Sequence, residues 1–103
     1  MSLRFSIGEY TVKFKTEYED GTAKLENISG GGCAMCNLDV KVQQHEKILL
    51  IVSCNDENPI EIGGTVLRVH DKYAAVQFTQ LSEDNKQRLI KFFAQKQRQQ
   101  RVS

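Results

Sequence analysis

Polar and apolar residues alternate along most of this chain, and a period of two predicts strands rather than helices. Tyr10, Val12 and Phe14 interleave with Thr11, Lys13 and Lys15, the pattern of a half-buried strand. Asp20-Gly21 follows, a short-range hairpin signal, and residues 22–28 alternate again as a second strand. Ser29-Gly30-Gly31-Gly32 interrupts the pattern, and residues 33–38 resume it as a short third strand. Residues 46–54 are a continuous β-branched and aliphatic run, which predicts a strand buried on both faces. Asn55 to Pro59 is a polar turn cluster. Residues 60–62 and 65–69 then read as one long strand around Gly63-Gly64, a pair that marks a bulge or a barrel corner. Asp71-Lys72 turns the chain into a last strand over 73–79.

Only the end changes period. Ser82 precedes Glu83 and Asp84, an N-cap with acids in the first helical turn. Leu89, Ile90, Phe92 and Phe93 fall on one helical stripe, with Leu81 placed to staple the entry. Residues 95–101 are polar all round, so the helix is expected to fray there. Six strands and one C-terminal helix predict an all-β domain, a small six-stranded antiparallel β-barrel plugged or flanked by that helix. The expected division is an N-terminal arm over 1–8, the barrel over 9–80, and the helix with a basic tail over 81–103.

A chain of 103 residues has room for one modest core. With 40% hydrophobic and 26% charged residues it fits a soluble globular domain, and excludes collagen-like, coiled-coil and disordered classes. The longest apolar run, 48–52, is too short to span a bilayer. No charged leader with an apolar stretch opens the chain, so a cytoplasmic protein without membrane insertion is expected.

The net charge of +1 hides an asymmetry. Residues 1–85 hold 8 Lys/Arg against 13 Asp/Glu, whereas residues 86–103 hold 6 Lys/Arg and no acid. An anionic ligand must therefore be held by local geometry, because the body of the domain is acidic. That charge distribution also argues against a barrel that coats a nucleic-acid polymer, which needs a basic face interleaved with aromatics. The basic tail reads as a solvated helix end.

Three cysteines, Cys33, Cys36 and Cys54, with no secretory leader fit reduced thiols. Cys33-Ala-Met-Cys36 matches C-x-x-C, but on a strand positions three apart face opposite ways, so the sulfurs do not converge on one metal. His45 and His70 have no ligand spacing around them. Neither a metal, a cofactor nor a nucleophile–base set is expected, and the chain does not read as an enzyme. The cysteines read as small buried hydrophobes.

Asn27-Ile28-Ser29-Gly30-Gly31-Gly32 is the most informative stretch. It puts an amide and a hydroxyl two apart, on one face of the second strand, and both groups donate and accept hydrogen bonds. The three glycines allow a ligand or another backbone to approach closely. The same residues also suit a glycine-rich turn whose Asn and Ser satisfy its own backbone. Arg68 and Lys13 are further cations on strands, candidate phosphate contacts that equally fit a solvated face.

Asn27-x-Ser29-x-x-Gly32 resembles the [D/N]-x-S-x-x-G signature of PilZ domains, bacterial modules that bind cyclic di-GMP. The resemblance runs on through Gly64-Thr-Val-Leu-Arg-Val69, Ala74-Ala-Val-Gln-Phe78 and a closing helix with Leu89, Ile90 and Phe93. The family's second motif is R-x-x-x-R on the N-terminal arm. Arg4 lies 23 residues before Asn27 and matches the second arginine; the first would fall ahead of residue 1. The resemblance implies a split barrel of the PilZ kind, with Arg4, Asn27, Ser29, Gly30, Gly31 and Gly32 as ligand-binding residues. It also implies a signalling output through an unidentified protein partner, reached by ordering the arm over the ligand. Half of the arginine motif fits a second role as well: a degenerate PilZ-like interaction module with weak or no cyclic di-GMP binding, as in motility or pilus assembly.

Overall fold

A computed structural model describes the backbone of residues 4–54 and 58–101 and the side chains of 10–54 and 58–96. The alternating segments become six strands: β1 (Arg4–Lys15), β2 (Asp20–Ser29), β3 (Gly32–Cys36), β4 (Lys47–Val52), β5 (Ile60–His70) and β6 (Tyr73–Gln80). One helix follows, α1 (Glu83–Arg101). Every pairing is antiparallel, and the strands close into a barrel in the order β1-β2-β3-β6-β5-β4. The predicted architecture is the observed one. Closure rests on three residue pairs between β1 and β4, Lys13 with Ile51, Phe14 with Leu50 and Lys15 with Leu49.

Inward residues of all six strands build one core. Val12, Phe14, Leu25, Ile28, Met35, Leu50, Ile60, Ile62 and Val66 are essentially inaccessible. No buried polar or charged residue occurs among the described residues, so the interior is held by apolar burial alone.

Local details depart from the sequence pattern in four places. The β1–β2 turn is made by residues 16–19, where the Tyr18 and Glu19 N–H groups donate to Thr16 Oγ1 at 3.2 and 3.0 Å. Asp20-Gly21 is not the turn: Gly21 pairs with Phe14 inside the ladder, and a Cβ on it would stand 2.6 Å from the Phe14 ring. β4 is not buried on both faces. Ile48, Leu50 and Val52 point inward while Leu49 and Ile51, on the other face, are half-buried. The polar segment expected to fray lies within the helix, which runs to Arg101. β1 also starts at Arg4, so residues 4–8, expected as an arm, run as the first part of a strand; residues 1–3 lie outside the described residues.

Helix α1 starts as read. The Asn85 N–H donates to Ser82 Oγ at 3.2 Å, and the Lys86 N–H to the Ser82 carbonyl at 2.8 Å. Leu89 and Phe93 are buried in the core, and Phe92 and Phe93 meet the Tyr10 ring edge-on at centroid distances of 5.8 and 5.3 Å. The helix therefore docks against β1, the strand that begins at Arg4.

Candidate functional site

The end of β2 bends because of one extra residue. Leu25 pairs with Met35 but Asn27 pairs with Ala34, which leaves Glu26 as a bulge. Beyond it Ile28 faces the core while Asn27 and Ser29 share the outer face, as their spacing requires. The Ser29 hydroxyl then shapes the turn: it accepts from the Gly31 N–H at 3.3 Å and donates to the Gly32 carbonyl at 3.3 Å. The Gly31 carbonyl accepts from the Phe78 N–H at 2.9 Å, tying the turn to β6.

The three glycines do different work. A Cβ on Gly31 would meet nothing within 4 Å, so this is where an incoming molecule could reach the backbone. A Cβ on Gly32 would stand 2.5 Å from the Val76 carbonyl oxygen, so this glycine serves strand packing. A Cβ on Gly30 would meet Lys86 Cε at 2.7 Å, so this position faces the helix.

Asn27, Ser29, Gly31 and Gly32 line one groove of about 370 Å³. Its other wall comes from Leu67 and Arg68 of β5 and Tyr73, Ala75 and Gln77 of β6. Gly30 does not line it. Lys13 lines a different hollow with Asp20 and Asp39 and stays apart. Arg4 pairs in register with Ser29, which puts its backbone beside the turn; its side chain lies outside the described residues. The sequence pattern singled out Arg68 without placing it, and did not single out Tyr73, which lies on the face of β6 opposite buried Ala74 and Val76 and is half-buried at the groove. Asn27 has no hydrogen-bond partner among the described residues, which leaves its amide open to a ligand.

The larger hollow of about 650 Å³ beside residues 38–42 has none of these groups, and its Lys41 and Lys72 are offset by the Asp39 and Asp71 carboxylates. Asp39 is engaged with its own chain, accepting from the Thr22 N–H at 2.7 Å and the Thr22 hydroxyl at 3.0 Å; these bonds hold its carboxyl below the usual range. The cysteines form no site. Cys33 is buried, and burial pushes its thiol up to about 12, while Cys36 faces the other side of β3. No cluster of three or more metal-ligating side chains occurs among the described residues. No helix in that part of the chain is long and apolar enough to cross a membrane.

Three comparisons bear on this arrangement. The family model described as PilZ domain matches residues 8–95. No curated protein matches the sequence. Among solved structures, the PilZ domain with c-di-GMP of YcgR from Escherichia coli superposes with a TM-score of 0.79 at 15% identity, over 97% of this chain and 92% of that one. The PilZ domain of CeSA from a cellulose-synthesizing bacterium gives 0.70 at 15% identity, over 89% and 95%. The Bacillus subtilis inhibitor of motility, MotI/DgrA, gives 0.76 at 20% identity; this chain is covered in full and spans 52% of that one.

Proposed function

Because this chain belongs to the PilZ domain family, whose members are binding and regulatory modules, we propose that it is a cyclic di-GMP receptor. The dinucleotide docks in the groove walled by Asn27, Ser29 and Gly31, with Arg4 reaching it from the start of β1. The observation that carries this reading is the convergence of those residues. The Glu26 bulge turns Asn27 outward beside Ser29, Gly31 is open, and the register partner of Ser29 is Arg4.

The chemistry fits the ligand. Two phosphates and two guanines offer acceptors for an arginine fork and paired donors and acceptors for an amide and a hydroxyl. The groove adds no carboxylate to repel the phosphates. No bond is made or broken, so the output is conformational. Binding that engages Arg4 at the start of β1 changes the surface offered to a protein partner. The ligand is a bacterial second messenger of the cytoplasm, and the reading makes this a cytoplasmic protein.

Isothermal titration of the chain with cyclic di-GMP tests the proposal. One site with heat that disappears in Asn27→Ala is the expected result. A flat titration at tens of micromolar protein overturns it, and leaves a PilZ fold that works through protein contacts alone.

A further inference from the structure

The groove has two walls, and only one belongs to the turn. Strand register builds the other. Asn27 pairs with Ala34, Ala34 with Ala75, and Ala75 with Arg68, so these four residues form one transverse row across β2, β3, β6 and β5. Neighbouring strands lie about 4.8 Å apart, and three spacings put the two ends of the row about 14 Å apart. Between the ends stand only two methyl groups. The row is a low apolar floor between two long polar side chains.

Both ends are turned out by irregularities that strict alternation does not contain. Asn27 lies two residues after buried Leu25, and Arg68 two after buried Val66, so an unbroken pleat would aim each into the core. A bulge precedes each one: Glu26 is the extra residue of β2 and Leu67 that of β5. Two separate bulges thus bring an amide and a guanidinium onto the same outward row. The second also exposes apolar surface. Leu67 and Val69, 43% and 37% accessible, flank Arg68 and are two of the three exposed large hydrophobics among the described residues. Among those residues Arg68 has no hydrogen-bond or ion-pair partner and is the one charged side chain that lines the groove.

We propose that Arg68 reads a base in this groove: a guanine lies flat on the Ala34–Ala75 floor, and the guanidinium forks onto its O6 and N7 edge. This rests on the cyclic di-GMP reading and names a residue that the turn motif does not contain. The floor and the Leu67 side chain offer apolar contact to the face of a base, and Tyr73 offers a ring beside Arg68. Two parallel N–H donors match two acceptors on one edge of guanine, whereas adenine presents an amino donor where guanine has O6. Lysine carries the same charge without the fork.

Isothermal titration of the full chain with cyclic di-GMP and cyclic di-AMP, for wild type, Asn27→Ala, Arg68→Ala and Arg68→Lys, tests it. Arg68→Ala should weaken cyclic di-GMP about tenfold to a hundredfold and narrow the preference over cyclic di-AMP. Its thermal melt should match wild type, since the side chain is exposed and unpaired. Arg68→Lys should bind nearly as poorly as Arg68→Ala. Wild-type affinity in either Arg68 variant, while Asn27→Ala fails to bind, overturns this inference and leaves the receptor reading intact. A wild-type chain that takes up no cyclic di-GMP overturns both.

Discussion

Gly32 of β3 and Val76 of β6 approach so closely that a methyl group on Gly32 would stand 2.5 Å from the Val76 carbonyl oxygen. That oxygen is backbone in the middle of a ladder and cannot move aside without breaking sheet hydrogen bonds. From the other side, a Cβ on Gly64 of β5 would meet the Val76 side chain at 2.7 Å and the Gln77 carbonyl at 3.0 Å. β6 is therefore clasped between two glycines where it forms the groove wall. Gly32→Ala should destabilise the domain by about 1–3 kcal/mol, the usual cost of overpacking. Gly31→Ala, next door, should stay within about 0.5 kcal/mol of wild type, because its Cβ enters open space. Urea unfolding of the two variants checks this, and equal losses would contradict the separate roles assigned to the two glycines.

Asn27 and Ser29 should separate in the same way, one by affinity and the other by both affinity and stability. The Ser29 hydroxyl holds the turn through Gly31 and Gly32, so Ser29→Ala should cost about 0.5–1.5 kcal/mol of stability as well as binding. The Asn27 amide has no partner among the described residues, so Asn27→Ala should melt like wild type and lose only ligand. Thermal melts paired with cyclic di-GMP titrations read both quantities. A stability loss in Asn27→Ala as large as that in Ser29→Ala contradicts this division.

Much of this is legible in residue order. The period of two marks β1, β2 and β6, the Ser82 cap marks the helix start, and the parity of Asn27 and Ser29 puts both on one face. What parity cannot say is which face, because that depends on whether the neighbouring strand sets a residue opposite Glu26 and Leu67 or skips them. A bulge is chosen by the partner strand and leaves no local periodic trace. For that reason Arg68 reads from sequence as an ordinary strand cation. Asp20-Gly21 misleads for a related reason: its glycine is there to accommodate the Phe14 ring across the ladder, while Thr16 makes the turn. The PilZ signature located one wall of the groove, and only the register supplied the other.

The C-x-x-C spacing gives a prediction about reactivity. Cys33 is 7% accessible, and burial pushes its thiol up to about 12, so at pH 8 it is both shielded and protonated. Cys54 is also buried, and its thiol lies 3.9 Å from the Val52 carbonyl. Cys36 faces outward and is half-exposed. Ellman's reagent at pH 8 should therefore titrate one fast thiol in the folded protein, absent in Cys36→Ser, and all three after unfolding. Two fast thiols, or a disulfide between Cys33 and Cys36 in the folded chain, would contradict the strand geometry.

The Tyr10 hydroxyl donates to the Ser53 carbonyl while its ring meets Phe92 and Phe93, so one side chain joins β1, the end of β4 and α1. Lys96 Nζ adds a cation 5.5 Å from the Tyr10 ring centroid. Tyr10→Phe removes the hydrogen bond but keeps the rings and should cost about 0.5–1.5 kcal/mol. Tyr10→Ala removes both and should cost about 2–4 kcal/mol. The two variants also differ from wild type in alkali. Burial, with the Cys54 thiol adding to it, pushes the Tyr10 phenol from 10.0 up to about 12. Between those values the unfolded chain releases a proton that the folded chain retains, so stability contributed below pH 10 is lost as pH rises toward 12. Cys33 acts in the same direction from pH 9.0 to about 12, so its Cys33→Ala variant is the background in which the tyrosine is isolated. In that background, melts from pH 8 to 11.5 should show a steeper alkaline decline with Tyr10 than with Tyr10→Phe. Parallel declines would mean that the phenol is solvated in the folded state and does not latch the helix to the barrel.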